Sequence, residues 1–354
     1  MTIRVGVIGA GFARRVQIPG LRLVPELAVT AIASARRASA ESAAREFGIP
    51  HVYDDGESLA RSGEVDLVLV SSTPAVHARQ AIAALEAGKH VLCEKPTALN
   101  ALEARQMLDA AAARPRQVAW IDHELRYEPN RRRVRELIAG GAIGEVRHIE
   151  LVLRPYLRGD GRPQAADAPW NWWFDAAEGG GILGAVGSHL IDLCRFWTAS
   201  EVVHVTGRVA TFVRERKDEA GTTHPVTADD FASLSLRMGS GAVATIILTS
   251  AAHHGGGHSA QITGSAGTMV LTGETKLELG QVGEPLADIS VADDLWERTK
   301  PNNMWGRSFV RVARDLARVI AGGVPEGTPA GFADGLAIQR VLDAVRAGRG
   351  TPLD

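Results

Sequence analysis

The first third of the chain alternates short apolar runs with segments in which apolar residues recur every three or four positions. Short apolar runs are typical of strands buried on both faces of a parallel sheet, whereas the second spacing is typical of helices with one buried face. The predicted strands are residues 3–8, 27–33, 66–70, 90–93 and 117–121, and the predicted helices are residues 12–24, 38–47, 75–87 and 99–113. This alternation predicts a doubly wound α/β domain.

Beyond Glu145 the predicted strands follow one another with few helices between them. They are residues 147–153, 202–213, 231–238, 242–250, 259–263, 268–271 and 276–279, with Gly239-Ser240-Gly241 as a hairpin turn between two of them. The predicted helices are residues 131–139, 183–197, 308–321 and 335–346. This order predicts an α+β domain with a large, mostly antiparallel open sheet and helices on one face.

The length of 354 residues is enough for two domains. We place the N-terminal α/β domain at residues 1–122 and the C-terminal α+β domain at residues 123–354, and the last helix is able to pack back on the first domain. The net charge is −2, which gives no basis for a nucleic-acid or membrane partner.

Cys93 and Cys194 both lie in apolar runs, which favours buried thiols over a disulfide and an intracellular protein. The N-terminus leads directly into an apolar strand without the pattern of a secretory leader, and no apolar stretch is long enough to span a bilayer. We therefore expect a cytoplasmic protein.

The first predicted strand ends in Gly9-Ala10-Gly11, directly before a predicted helix. Gly9 permits a tight turn, and Gly11 lets the backbone approach a pyrophosphate at the helix N-terminus, where free N–H groups favour anions. Arg14 stands where the third glycine of the G-x-G-x-x-G fingerprint is expected. The position of this turn predicts a Rossmann dinucleotide-binding domain, and the alternative is a tight turn without a ligand.

The end of the second predicted strand bears on the choice of cofactor. NAD sites usually place an Asp or Glu there to accept hydrogen bonds from the ribose, but this chain has Ser34-Ala35-Arg36-Arg37. Ser34 and the guanidinium groups suit a 2′-phosphate, which favours NADP, with NAD as an alternative. Otherwise the two arginines are solvated residues ahead of the next helix.

Five separated motifs occur in one order along the chain. They are Ser72-Thr73-Pro74-Ala75-Val76-His77, Glu94-Lys95-Pro96, His123-Glu124-Leu125-Arg126-Tyr127-Glu128-Pro129, Gly179-Gly180-Gly181 and Gly187-Ser188-His189-Leu190-Ile191-Asp192. With Phe332-Ala333-Asp334-Gly335 near the C-terminus, they closely resemble the Gfo/Idh/MocA family, which includes glucose–fructose oxidoreductase and inositol dehydrogenase. The resemblance covers nearly the whole chain.

The resemblance implies that Lys95 is the catalytic lysine, that His189 is a catalytic or substrate-orienting histidine, and that Glu94 lies by the nicotinamide. It also implies a cis peptide bond before Pro96. The residues assigned to the cofactor are Gly9, Gly11, Phe12, Ala13, Arg14, Ser34, Arg36, Arg37, Ser72, Thr73, Pro74, His77, Glu94, Lys95 and His123.

The chain departs from the family pattern at Ala185, where members commonly carry an Asp four residues before the histidine. An alanine cannot accept a proton, so the acid–base work falls on Lys95 and His189. Asp192 is either an orienting carboxylate one helical turn later or a structural cap or salt-bridge partner. The substitution leaves open a non-standard substrate or a lost activity.

Aromatic residues are densest in Pro169-Trp170-Asn171-Trp172-Trp173-Phe174. These rings either wall the substrate site, where they would stack on a sugar ring, or anchor a loop in the core. The substrate-binding candidates are Arg126, Trp172, Trp173 and Asp192.

Two further clusters are assigned no function. His253, His254 and His258 are interspersed with glycines, but no acid or cysteine completes a metal-ligand set, so we expect a mobile loop and no metal. The arginines at positions 131, 132, 133 and 135 are expected to form a solvated helix face.

The resemblance implies an NAD(P)-dependent oxidoreductase that transfers a hydride between nicotinamide and a carbinol carbon of a sugar, cyclitol or related polyol. The alternatives are a lyase or glycosidase that oxidises its substrate transiently with a tightly held cofactor, and a non-catalytic dinucleotide sensor. Because helices on one face of a sheet leave an apolar face that needs cover, we expect a homodimer or homotetramer formed through the second domain.

Overall fold

The computed structural model describes residues 2–154, 167–348 and 351–352, which divide into two compact units. The first unit comprises the chain up to Glu128 together with Asp294–Leu336. The second comprises Pro129–Asp293 together with the residues from Ala337 onward. The boundary placed at residues 122 and 123 therefore differs from the structure, since one segment from late in the chain belongs to the first unit.

The chain up to Glu128 forms six strands and five α-helices, all among the described residues. The strands are β1 (Ile3–Ile8), β2 (Leu27–Ala33), β3 (His51–Tyr53), β4 (Leu67–Val70), β5 (His90–Cys93) and β6 (Ala119–Ile121). The helices are α1 (Ile18–Leu21), α2 (Arg37–Phe47), α3 (Gly56–Arg61), α4 (Pro74–Glu86) and α5 (Ala101–Ala112). A π-helical turn, Ala13–Gln17, precedes α1, and a 3₁₀ turn, Glu124–Tyr127, follows β6.

The middle of the chain contains two α-helices and most of a second set of strands. The helices are α6 (Pro129–Ala139) and α7 (Ser188–Thr198). The strands are β7 (Val146–Leu153), β8 (Val202–Ala210), β9 (Glu215–Lys217), β10 (Thr223–Pro225), β11 (Phe231–Met238), β12 (Val243–Thr249), β13 (His258–Gly264), β14 (Gly267–Thr272), β15 (Lys276–Gln281) and β16 (Ala287–Asp288). A π-helical turn, Leu183–Gly187, precedes α7.

The remaining elements are α8 (Met304–Ile320), β17 (Ala330–Gly331), α9 (Phe332–Arg346) and β18 (Thr351–Pro352). None of the helices in the described ranges combines the length and the apolar character needed to cross a membrane.

The sheet of the first unit has the order β17-β6-β5-β4-β1-β2-β3 and is parallel except for β17. The chain winds outward from β1 in both directions, so the strand order reverses between β1 and β4. In doubly wound folds ligands bind at the carboxyl ends of the strands, at this reversal. The glycine turn that follows β1 lies at that edge.

Apolar side chains cover both faces of this sheet. On one face Phe309, Val310 and Leu316 of α8 belong to the same buried cluster as Val5 and Ile32 of the strands. Full burial of one such side chain contributes about 1.5–3 kcal/mol, so α8 is an integral part of the first unit's core.

The second unit is built on a sheet with the order β16-β15-β14-β13-β7-β12-β11-β8-β18. Its strand pairs are antiparallel except for β7 with β12. Ile149, Leu151 and Ile246 lie on its buried face. These sheets confirm the predicted fold class, a Rossmann-type domain with an α+β domain.

The other face of the second sheet is less apolar than the sequence suggested. Glu150 of β7 pairs with Thr245 on one side and Gln261 on the other, so one row across the sheet is polar. In the next row Val152 pairs with Ile247, and both side chains are half-buried. The expected apolar face is therefore a mixed one, with an apolar patch of Val152 and Ile247 beside a polar row.

Candidate active site

The turn after β1 requires its first glycine. Gly9 has a φ of +109°, a value that L side chains rarely adopt, and a Cβ there would lie 2.1 Å from the carbonyl oxygen of Ser71. Its N–H donates to the carbonyl of Ala33 at 2.8 Å, which ties the turn to the end of β2. The turn therefore packs closely against the loops that follow β2 and β4.

The second glycine of the turn is not required by the packing of the chain. A Cβ added to Gly11 would meet nothing within 4 Å, and the residue is exposed. The open space beside its backbone suits the close approach of a pyrophosphate, which a larger side chain would obstruct. This turn fits the dinucleotide implied by the sequence.

The arginines assigned to the cofactor differ in their contacts. Arg14 forms an ion pair with Glu46 at 2.5 Å, and Arg37 forms ion pairs with Glu41 and Asp54. Arg36 is exposed at the N-cap of α2, beyond the carboxyl end of β2, and forms no ion pair with any residue in the described ranges.

Arg36 is therefore the guanidinium most available for a 2′-phosphate at this edge. Ser34 lies half-buried just beyond β2, two residues before it.

His77 connects two loops at the same edge. Its Nδ1 lies 3.0 Å from the carbonyl oxygen of Pro96, and its Nε2 lies 3.2 Å from that of Ser72. Burial lowers the pKa of His77 to about 4, so the ring is neutral. The ring of this predicted cofactor residue therefore faces backbone carbonyls and holds the loop of Thr73 and Pro74 beside the loop of Pro96.

Lys95 follows β5, and the peptide bond between it and Pro96 is cis, as the resemblance implies. Its side chain is 14% exposed, and its Nζ lies 4.0 Å from Oε2 of Glu94. The same ammonium lies 6.0 Å from the ring centroid of Trp305 on α8. The amine is thus mostly enclosed, with a carboxyl group and an aromatic ring as neighbours.

Three buried carboxyl groups lie around the ends of β5 and β6. Glu94, Asp122 and Glu124 are 6%, 0% and 1% exposed. The side-chain amide of Gln17, in the π-helical turn, donates to Oε1 of Glu94 at 2.8 Å and to Oδ2 of Asp122 at 2.9 Å. We call Glu94, Asp122 and Glu124 the carboxyl cluster.

Burial raises the pKa of every member of the carboxyl cluster, and Glu94 raises those of Asp122 and Glu124 further. Burial is the largest cause for each, and it raises the pKa of Glu94 and raises those of Asp122 and Glu124 well above the usual carboxyl range. Asp122 and Glu94 are also hydrogen-bonded to each other. Adjacent buried carboxylates cannot both ionise readily, so Asp122 holds a proton and donates it to Glu94, while the nearby Lys95 favours the ionised form of Glu94.

Arg126, a predicted substrate residue, is engaged in the scaffold of the first unit. Its side chain is 5% exposed, and its Nη2 donates to Oδ1 of Asp334 at 3.0 Å. Asp334 also accepts the N–H of Gly331 at 2.9 Å. The guanidinium therefore holds β17 and the start of α9 through Asp334, the aspartate of the C-terminal motif.

His123, another cofactor candidate, is buried at the start of the same turn, between Asp122 and Glu124.

In the second unit, His189 is buried in the first turn of α7. Ala185 is also buried and lies in the π-helical turn that precedes α7. Asp192 lies 3.8 Å from Arg195 in a buried ion pair. Of the two interpretations of Asp192, this contact supports the salt-bridge partner. The guanidinium of Arg195 compensates the charge of the buried carboxylate.

The aromatic cluster is not a core anchor among the described residues of the second unit. Trp172 is 38% exposed, and its ring meets that of Trp173 edge-on at a centroid distance of 5.9 Å. Both lie in a 3₁₀ turn, Trp172–Phe174, none of whose residues is buried. Half-exposed rings remain able to stack on a ligand.

Two surface expectations are each wrong at one residue. Arg131 is fully buried rather than solvated, and its Nη2 lies 2.8 Å from Nδ1 of His258. His258 is itself buried at the start of β13 rather than in a loop with His253 and His254. Burial, with the neighbouring guanidinium as a second cause, lowers the pKa of His258 well below its usual value.

Sequence reasoning missed Gln17, Asp122, Glu124 and Trp305 as parts of the site. A signal for Asp122 was present, because Glu94 and Asp122 each follow directly after one of two adjacent strands. Polar residues in those positions meet at the carboxyl edge of a parallel sheet. No comparable signal marks Gln17 or Trp305.

Two family profiles match the chain. The first, described as an oxidoreductase family with an NAD-binding Rossmann fold, matches residues 3–122. The second, described as the Gfo/Idh/MocA C-terminal domain, matches residues 131–270.

Similar proteins span most of the chain. An uncharacterized oxidoreductase of Synechocystis sp. is 32% identical in an alignment that covers 82% of this chain and 79% of that protein. Glucose-fructose oxidoreductase domain-containing protein 2 of Xenopus laevis is 31% identical in an alignment that covers 97% of this chain and 90% of that protein.

Solved structures agree with these matches. An oxidoreductase domain protein from Kribbella flavida has a TM-score of 0.85 at 28% identity and covers 100% of each chain. Levoglucosan dehydrogenase in complex with NADH and levoglucosan has a TM-score of 0.84 at 25% identity, over 98% of this chain and 97% of that one. Because both profiles match and relatives cover nearly the whole sequence, the chain belongs to the Gfo/Idh/MocA family of oxidoreductases, with an NAD-binding Rossmann fold in its N-terminal part.

Proposed function

We propose that this protein catalyses reversible hydride transfer between a nicotinamide cofactor and a carbinol carbon of a sugar, cyclitol or related polyol. The observation that carries the proposal is Lys95, whose enclosed ammonium lies 4.0 Å from Glu94 at the carboxyl edge of the sheet. The similarity to levoglucosan dehydrogenase, a protein solved with NADH and an anhydrosugar, supports the substrate class.

The residues of the chain divide the work between binding and proton transfer. Gly9, Gly11 and the backbone that follows would hold the pyrophosphate, and Arg36 with Ser34 would hold the ribose end of the cofactor. When bound, the nicotinamide supplies a hydride acceptor or donor. Lys95 exchanges the hydroxyl proton of the substrate, and His189 would hydrogen-bond the reacting oxygen.

The test is a substrate screen with NADP and NAD over sugars, cyclitols and sugar phosphates, in which cofactor reduction is followed by absorbance. A dehydrogenase gives a net change in reduced cofactor that is proportional to the product. Product without a net cofactor change would replace the proposal with transient oxidation in a lyase or glycosidase. Cofactor binding without turnover of any member would favour a dinucleotide sensor.

We further propose that NADPH binds more tightly than NADH, because Ser34 and Arg36 stand where an acid would favour the free ribose. Arg36→Ala is expected to weaken NADPH binding by roughly 5- to 150-fold through loss of a charge-assisted contact, with little effect on NADH. Fluorescence titration of both cofactors measures this. Arg22→Ala, at an exposed arginine of the same unit beyond α1, is the matched control. Equal or tighter binding of NADH would overturn the preference.

We also propose that the protein is a homodimer or homotetramer assembled through the open face of the second sheet. Ile247→Lys would place a charge in the apolar patch of Val152 and Ile247 and is expected to shift the assembly toward monomers. Light scattering at micromolar concentration measures the mass. Leu102→Lys, at a 69% exposed leucine of α5, is the control and is expected to leave the mass unchanged. A monomeric wild-type protein would contradict the proposal.

A further inference from the structure

The carboxyl cluster holds more acid than its neighbouring cation can neutralise. Glu94, Asp122 and Glu124 are all buried, and Lys95 is the cation that acts on all three. Burial of an ionised carboxyl without a partner is strongly unfavourable, so the surplus acids retain protons. A fold that needed only a counter-ion for Lys95 would require a single carboxylate.

The other titratable groups around the cluster do not share this excess. Burial, followed by Glu94 and Asp122, raises the pKa of the Cys93 thiol, which therefore stays protonated. His77 is neutral because burial lowers its pKa to about 4. His123, Tyr127 and Glu128 are further buried titratable side chains in the same stretch of the first unit. Neither the Cys93 thiol nor the His77 ring therefore exchanges a proton near neutral pH.

A second observation points from the cluster toward a ligand. Oε1 of Gln17 and Oδ1 of Asp122 are buried and have no hydrogen-bond partner among the residues that the structure describes. Both side chains lie at the edge where a doubly wound sheet binds its ligand, in a segment that matches an NAD-binding profile. Unpaired acceptors and excess acid at this edge suit a ligand that carries positive charge.

We propose that Glu94, Asp122 and Glu124 form a proton-linked site for the oxidised nicotinamide ring. The carboxyl cluster gives up a proton when the oxidised cofactor binds and keeps that proton when the reduced cofactor binds. The inference rests on the proposed use of a nicotinamide cofactor. The O–H bond of one carboxyl would break, the proton would pass to solvent, and the negative charge that remains would offset the positive charge of the ring. No electron transfer accompanies this step.

The direction of the pH dependence follows from linkage. A cation beside the cluster favours the ionised carboxyl, so the oxidised cofactor lowers the pKa of the cluster and binds more tightly as the pH rises. The reduced ring carries no charge and leaves the cluster protonated. The ratio of the dissociation constants, oxidised over reduced, is therefore expected to fall with rising pH, by up to about tenfold per pH unit for one released proton.

The experiment is isothermal titration calorimetry with oxidised and reduced cofactor between about pH 6 and 9, in buffers that differ in ionisation enthalpy, which counts the protons released. The wild-type protein is expected to release more protons with the oxidised cofactor. The double variant Asp122→Asn with Glu124→Gln places an amide of similar size at each position, and these amides cannot release the carboxyl protons. It is expected to lose the difference, whereas Asp109→Asn, at an exposed carboxyl of α5, keeps it.

The outcomes separate this inference from the proposed function. Equal proton release with both cofactors in the wild-type protein would overturn the inference, even if the variant does not fold. A folded double variant that keeps the difference would also overturn it, because the proton would then not come from the surplus acids Asp122 and Glu124. Binding of neither cofactor would instead reject the proposed function itself.

Discussion

Lys95→Ala is expected to lower kcat by roughly 10²- to 10⁴-fold, the usual loss on removal of a general acid–base, with little change in cofactor affinity. The second unit has no carboxylate at position 185, where a buried alanine stands, so no proton acceptor is available there to take over. The measurement is steady-state turnover of the best substrate in the screen, together with a fluorescence titration of the cofactor.

Lys95→Arg provides the control for charge, since it keeps a cation in the enclosed position but exchanges protons poorly. It is expected to lose turnover almost as severely as the alanine variant. Near wild-type turnover in Lys95→Ala would refute the assigned role and favour a regulatory use of the fold.

Gly11→Val is expected to weaken cofactor binding by at least about 100-fold while leaving the free energy of unfolding nearly unchanged. A Cβ at this position meets no atom of the chain within 4 Å, so the folded protein tolerates the side chain. The added methyl groups would occupy the space that the pyrophosphate requires, and the lost contacts to phosphate are among the stronger hydrogen bonds in proteins. Fluorescence titration and urea unfolding measure the two quantities.

Gly63→Val is the matched control, because a Cβ there also meets nothing within 4 Å, yet the residue lies between α3 and β4, away from the glycine turn. It is expected to leave both cofactor affinity and stability unaltered. If Gly11→Val binds cofactor as tightly as the wild-type protein, the turn does not hold the pyrophosphate.

The sequence was sufficient for the strands that are rich in branched apolar residues. The bounds of β1, β2, β5 and β11 agree with prediction at both ends, because each is an apolar or alternating run bounded by residues that favour turns. The short elements β3 and α3 were missed, since a three-residue strand that contains histidine and tyrosine carries too little periodicity.

Long-range placement was the harder part. The predicted helix at residues 308–321 was recognised as α8, but its apolar face does not reveal which of two cores it joins, and it was placed in the wrong unit. For the same reason the contact between Arg126 and Asp334 was not predicted, because Asp334 lies 208 positions further along the chain.

The candidate site shows the same limit. Motifs marked Gly9, Gly11 and Lys95, since local turn chemistry and the family pattern identify such residues. The carboxyl cluster depends on three segments that approach only in the folded chain, at Gln17, at the end of β5 and at the end of β6. Burial, which decides whether a carboxyl keeps its proton, is a property of that assembly rather than of any one segment.

The position of α8 late in the sequence has a consequence for folding during synthesis. Its residues Phe309, Val310 and Leu316 complete the core begun by β1 and β2, yet the ribosome delivers them after the whole middle of the chain. At about 5–20 residues per second, translation of the stretch between Glu128 and Leu336 takes roughly 10–40 s. During that interval the nascent N-terminal segment exposes an uncovered apolar surface, which makes it a client for chaperones and a poor choice for expression as an isolated fragment.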